Sequence, residues 1–243
     1  MGPLVSRARG LGERPKANMN PFRYARLDSF LNDRAAVSAL EFALILPVLS
    51  MLLLGGFDMG RFILATQRTQ AVANSIAEML SQTPVSSSAS VSGDGVVTQN
   101  DVMFYYNSAM FTFPDILTEA TQLGVNWWNL LGVNIASVSF KATPTGCTTS
   151  CAYVPKLVWS FGARTCGTTF TAVPDTNTFN PATLPTDVYA AGSLIVVDIT
   201  YNWQPTFGAQ YLGAVSIERS VFMEPRNVPL VESNATGLVS ICS

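Results

Sequence analysis

Residues 35–57, AAVSALEFALILPVLSMLLLGGF, are 23 consecutive positions with Glu41 as their only ionisable side chain. At helical rise, about 20 apolar residues cross the ~30 Å hydrocarbon core of a bilayer. The run therefore predicts a transmembrane helix. A cleaved secretory signal has a shorter apolar core of about 7–15 residues, so this one reads as an anchor. Its flanks differ in charge. Residues 1–34 carry seven basic side chains (Arg7, Arg9, Arg14, Lys16, Arg23, Arg26, Arg34) against Glu13, Asp28 and Asp33, a net +4, whereas the rest of the chain carries seven bases and thirteen acids. Only Arg61 and Arg68 lie in the twenty-odd residues after the run. The positive-inside bias makes residues 1–34 a basic cytoplasmic leader and places everything beyond the span outside.

The 243 residues contain no histidine, which removes the usual general base and the commonest metal ligand. Triad-type hydrolysis and histidine-bearing zinc sites are thereby disfavoured. A formal net charge of −2 gives no footprint for nucleic acid. All four cysteines, Cys147, Cys151, Cys166 and Cys242, fall on the exported side. An even count in an oxidising compartment predicts up to two disulfides, with three connectivities open. Their spacing is not that of a zinc finger.

Several side chains along the span ask for an explanation. Glu41 sits six residues in, about 9 Å deep at helical rise. An acid in hydrocarbon costs on the order of 3 kcal/mol, so it is either neutral or snorkelling near the inner interface, or it awaits a cationic partner. Pro47 lacks an amide donor and crowds the carbonyl of Ala43, which predicts a bend. Gly56 and Gly60 stand four apart, a spacing that either lets another backbone approach closely or marks flexibility at the membrane exit. Asp58 and Arg61 stand at i,i+3, side by side on a helix, and read as an ion pair anchoring the exit.

The order Arg34, Ala35, Ala36, four residues 37–40, Glu41, Phe42 and then an apolar helix resembles the leader junction of type IV pilin-like proteins. The segments EFALILP at 41–47 and GGFDMGR at 55–61 narrow the likeness to the TadE-like family, with its TadF and TadG relatives. Residues 193–205 and 215–226, two strands before Pro225-Arg226, resemble the ending of such proteins. The resemblance implies a bacterial inner-membrane protein with one span, its head periplasmic or extracellular, in the Flp tight-adherence pilus system. It implies cleavage by a prepilin peptidase between Ala36 and Val37, although Ala36 stands where that family usually has glycine. Glu41 would then be the fifth mature residue, positioned to pair with the α-amino group of a neighbouring subunit.

Beyond the span, Phe62, Ala65, Thr69, Val72, Ala73, Ile76 and Leu80 fall in one helical sector, opposite Gln67, Gln70, Asn74 and Glu78. The helix is therefore expected to continue through residues 58–82, its stripe packing on its own head in preference to a neighbour. Residues 83–100 are Ser-rich and read as a linker in which SGDG is a turn. Residues 101–243 read as an extracytoplasmic head. Asn100 or Asp101 can cap a helix from 102 to about 112, and a second short helix follows Pro114. Trp127 and Trp128 read as packing residues. Strands are predicted at 133–142, 155–161, 197–203 and 215–221, with 197–203 alternating as a half-buried strand does, and 167–192 reads as a coil excursion. The expected fold is α+β, a long N-terminal helix packed on an antiparallel sheet of about four strands.

These features favour a membrane-anchored minor pilin-like (pseudopilin) subunit over an exported surface-binding module or adhesin that uses the helix only as a tether. The expected partners are membrane lipid, the prepilin peptidase, other pilin-like subunits and the pilus assembly machinery. No cofactor and no catalysis are expected: there is no nucleophile elbow, phosphate loop or carboxylate cluster, although a Ser–Lys dyad built on Lys141 or Lys156 is invisible to sequence.

Overall fold

The computed structural model describes residues 34–174, 179–209 and 213–242. The leader at 1–33 and the 210–212 connection between the last two long strands lie outside them. The chain divides into two compact units, Met1–Leu53 and Leu54–Ser243.

Helix α1, Arg34–Ser81, runs 48 residues and continues through Pro47. Its first part is apolar on every side, and from Leu44 to Leu53 its large side chains are all exposed. Its second part is one-sided. Val72, Ala73, Ile76, Ala77 and Leu80 are completely buried, with Ala65 and Thr69 beside them and Phe62 half-buried. Asn74 and Glu78 face solvent. The stripe expected from the 3.6-residue period thus serves the core of its own head. Each fully buried Val, Ile or Leu there contributes about 1.5–3 kcal/mol.

Residues 83–100 do more than link. After Val85 bridges to Gly95, strand β1 (Gly95–Val97) pairs in parallel with β8 (Val231–Ser233). Helix α2, Gln99–Thr112, starts earlier than expected because Thr98, not Asn100 or Asp101, is its N-cap. The Thr98 hydroxyl accepts from the Asp101 amide and the Asp101 carboxylate accepts from the Thr98 amide, a reciprocal capping box. Helix α3, Asp115–Leu123, ends on Gly124, whose φ of +66° suits a left-handed cap.

The main sheet has five strands in the order β7-β6-β2-β3-β9. These are β2 (Leu131–Thr143), β3 (Ala152–Phe161), β6 (Gly192–Trp203), β7 (Val215–Met223) and the short β9 (Ser240–Ile241), every pairing antiparallel. The α+β class therefore holds, with one small edge strand added by the C-terminus. One face carries Val133, Ile135, Trp159, Val197 and Ile199 into the core shared with α1 and α2. The opposite face, with Ala136, Val138, Leu194 and Val196, packs against Phe170 and Leu184. Those two belong to the 167–192 excursion, which contributes its own two-stranded parallel ribbon, β4 (Thr171–Val173) with β5 (Thr183–Pro185).

Coverage of both faces corrects the reading of β6 as half-buried. Asp198 is wholly buried. It accepts from Arg164 Nε at 2.9 Å, from Arg164 Nη2 at 3.3 Å and from the Ser220 hydroxyl at 2.7 Å. Arg164, equally buried, also donates to the carbonyls of Pro181 and Thr183. The turn that delivers it needs Gly162, at φ +106°, where a Cβ would overlap the Asn134 side chain. Two disulfides complete the frame. Cys147–Cys151 closes the tip of the β2–β3 hairpin, and Cys166–Cys242 ties the excursion to the C-terminus across 76 residues of sequence.

Removing one member of a buried ion pair leaves the other charge uncompensated. Arg164→Met should destabilise the full-length protein by about 3–5 kcal/mol, and Arg164→Met with Asp198→Leu should recover most of that loss. Urea midpoints in detergent check both.

Candidate functional site

The described part of α1 presents Val37, Glu41 and Phe42 on an exposed surface, Val37 at 47% and Phe42 at 62%. Ala36 lies within the helix range. α1 is long and apolar enough to cross a membrane, and none of its most apolar window is buried. Apolar area exposed on this scale calls for a cover outside the described chain. Nothing in the described residues lies within 4 Å of a Cβ built at Gly56 or Gly60, so neither glycine makes room for a described neighbour.

The exit from that apolar stretch is where the structure concentrates its polar chemistry. Asp58 is buried to 7% exposure, one residue after Phe57. It does not pair directly with Arg61 as a surface anchor, which corrects the expected ion pair. Its Oδ1 accepts from the Thr206 amide at 2.9 Å, and its Oδ2 accepts from the Phe207 and Gly208 amides at 3.0 and 3.1 Å. Arg61 donates to the Thr206 hydroxyl. The two charges thus meet through the 205–208 loop, each holding the same turn. Above and below it, Phe57 packs edge-on against Phe207 with ring centres 5.8 Å apart, and Phe62 against Trp203 at 5.3 Å.

Burial opposes ionisation of Asp58, but the three amides, with the Arg61 charge behind them, outweigh it, and its carboxyl sits below the ordinary carboxylate range. A lowered native pKa means stability that is complete above the unfolded-state value and lost as pH falls through the native one.

One turn further along, Arg61, Arg68, Asp115, Glu119, Tyr201 and Trp203 line a cleft of about 60 Å³. Arg68 is bridged to Asp115, and its guanidinium stands 5.8 Å from the Phe113 ring. The Tyr201 hydroxyl donates to Glu119. Burial, then that carboxylate partner, push the Tyr201 phenol far above its ordinary range despite Arg61 and Arg68. Charges here neutralise one another and brace α3 against α1, a holding arrangement.

The remaining expected residues lie elsewhere. Lys141 and Lys156 are exposed on the β2–β3 hairpin, where Lys156 is paired in register with Ser139. Trp127 is buried against Tyr106, whereas Trp128 is half-exposed. Pro225-Arg226 finds its place at the end of α1: the Arg226 amide donates to the Ser81 carbonyl at 2.8 Å, one of the helix's open acceptors. Sequence reasoning missed the loop at 205–208 because Asp58 and Thr206 are 148 residues apart. The only local signal was an acid that a surface i,i+3 pair already explained.

Each hydrogen bond to a charged group contributes about 1.5–3 kcal/mol. Asp58→Ala should therefore speed hydrogen exchange at the Thr206, Phe207 and Gly208 amides by about ten- to a hundredfold. In the native protein, protection of those three amides should fall away only at pH values below the usual aspartate range.

With that geometry in place, similarity can be stated. No curated protein and no solved structure matches the chain. Residues 36–78 match the family model described as TadE-like protein, well under half of the chain. The α1 segment that carries Glu41, Asp58 and Arg61 is thus the part similar to TadE-like proteins.

Proposed function

We propose that this chain is a membrane-anchored minor pilin-like subunit that takes part in building a Tad-type pilus. The observation that carries the reading is a coincidence of position: the TadE-like match at 36–78 covers the stretch where α1 is apolar on all sides, exposed and interrupted by Glu41. That match supports involvement in Tad pilus assembly and association with its machinery and with other pilin-like subunits. One helix able to span supports anchoring in a membrane.

The finer assignments rest on the residues themselves. The basic leader before the span supports a cytoplasmic N-terminus. The small residue Ala36, with Glu41 five positions on, supports removal of the leader by a prepilin peptidase ahead of Val37. A freed α-amino group and the Glu41 carboxylate of an adjacent subunit then compensate each other in a medium where either alone is costly. The role is structural rather than catalytic; the absence of histidine and of catalytic motifs from the sequence supports that part of the reading.

Two measurements test it. Mass spectrometry of the protein from membranes should give a chain beginning at Val37. Glu41→Ala should still insert in the membrane yet lose co-purification with pilus components and piliation. Unchanged piliation in Glu41→Ala rejects the assembly role. Full function with residues 35–57 replaced by polyleucine would show the span to be a mere tether.

A further inference from the structure

Among the described residues, exposed aromatic side chains that the core does not explain include Phe104 and Phe111 on α2, Trp128, and Phe207 with Phe57 at the exit of α1. For the last pair, the surroundings say what covers it. Phe57 is the last residue of the 35–57 apolar run and is 54% exposed, and Phe207 beside it is 48% exposed. Met59, Ile63 and Leu64 continue the apolar surface along the helix, each about half-exposed. This apolar surface, bordered by the exposed Arg61, starts as the flank of the 35–57 run and is most simply wetted by the same solvent.

The loop backbone is prepared for that solvent. Hydrocarbon excludes irregular backbone because unpaired amides cost several kcal/mol each. Here the three consecutive amides of Thr206, Phe207 and Gly208 are all spent on Asp58, and the Thr206 hydroxyl is spent on Arg61. Asp58 in turn has both carboxylate oxygens occupied. Pro205, with no amide to satisfy, precedes them and is buried. The turn can therefore approach the acyl boundary with its three amides already paired.

We propose that residues 205–208 form a second, interfacial contact with lipid, in which Phe207 seats beside Phe57 at the boundary between headgroups and acyl chains of the outer leaflet. The occupant of this surface is the bilayer itself. The proposal rests on the reading of 35–57 as a span. Asp58 acts as the clasp, a positioning residue that joins a loop 148 residues away to the exit turn of the helix. The exported head then touches the membrane at two points of sequence, Phe57 and Phe207.

Nitroxide accessibility in the full-length protein tests this. Because the four native cysteines are consumed in disulfides, a single introduced thiol can be labelled in the oxidised protein. Phe207→Cys, Met51→Cys and Val154→Cys replace exposed side chains, so buried packing is untouched. In vesicles of phosphatidylethanolamine and phosphatidylglycerol, collision with oxygen relative to a water-soluble nickel chelate reads depth. The Met51 label should be lipid-like and the Val154 label water-like, with the Phe207 label severalfold above Val154 and below Met51, as its place at the headgroup boundary requires. Adding Asp58→Ala should return the Phe207 label towards the Val154 value. A water-like Phe207 label beside a lipid-like Met51 label overturns the second contact and leaves the span intact. A Phe207 label shielded from both reagents assigns the surface to a protein neighbour and also overturns it. A water-like Met51 label overturns the span, and the contact with it.

Discussion

One helix has to satisfy two solvents. Over its first part α1 is apolar in every direction and exposed in every direction, a combination that water penalises at about 25 cal/mol per Å² of apolar surface. Over its second part a single stripe, Val72 to Leu80, is sealed under the head while the reverse side stays polar. The change between the two regimes occurs around residues 57–62. There a buried carboxylate, a guanidinium and two aromatic contacts all fasten on residues 203–208. Without that fastening, Asp58 would be a buried charge with nothing to compensate it. With it, the charge becomes the acceptor for a turn that would otherwise expose three amides.

The head meets a different demand. A sheet with both faces apolar has to be covered twice. α1 and α2 cover one face, and the excursion at 167–192 covers the other through Phe170, Leu184, Val188 and Tyr189. That excursion has little regular structure of its own, so it is held by chemistry instead. Arg164 reaches through to Asp198 and to two carbonyls of the returning chain, and the Cys166–Cys242 bond joins it to the C-terminus. A buried ion pair of this kind is a poor source of net stability, because desolvation offsets most of the attraction. Its value lies in register: five hydrogen bonds from four donor atoms, Arg164 Nε, Nη1 and Nη2 and the Ser220 hydroxyl, fix where the excursion sits. The Cys166–Cys242 bond adds covalent closure to that arrangement.

Sequence determined what repeats along the chain or depends on near neighbours. The length and purity of residues 35–57 set a helix long and apolar enough to cross a membrane. The 3.6-residue spacing of Phe62 to Leu80 set its buried face, and the run EFALILP with GGFDMGR set the likeness that residues 36–78 carry. Alternation marked the last two long strands, although the period-2 pattern of β6 could not say that its polar side, too, was roofed. Tertiary structure alone decided which cysteines pair, that Asp198 is buried with Arg164, and that Asp58 serves a loop far along the chain rather than Arg61 next to it. The reason is the same in each case. A helical turn or a pleat is enforced by sterics over a few residues and leaves a periodic trace, whereas a hydrogen bond or disulfide across 76 or 148 residues depends on where the whole fold brings its ends.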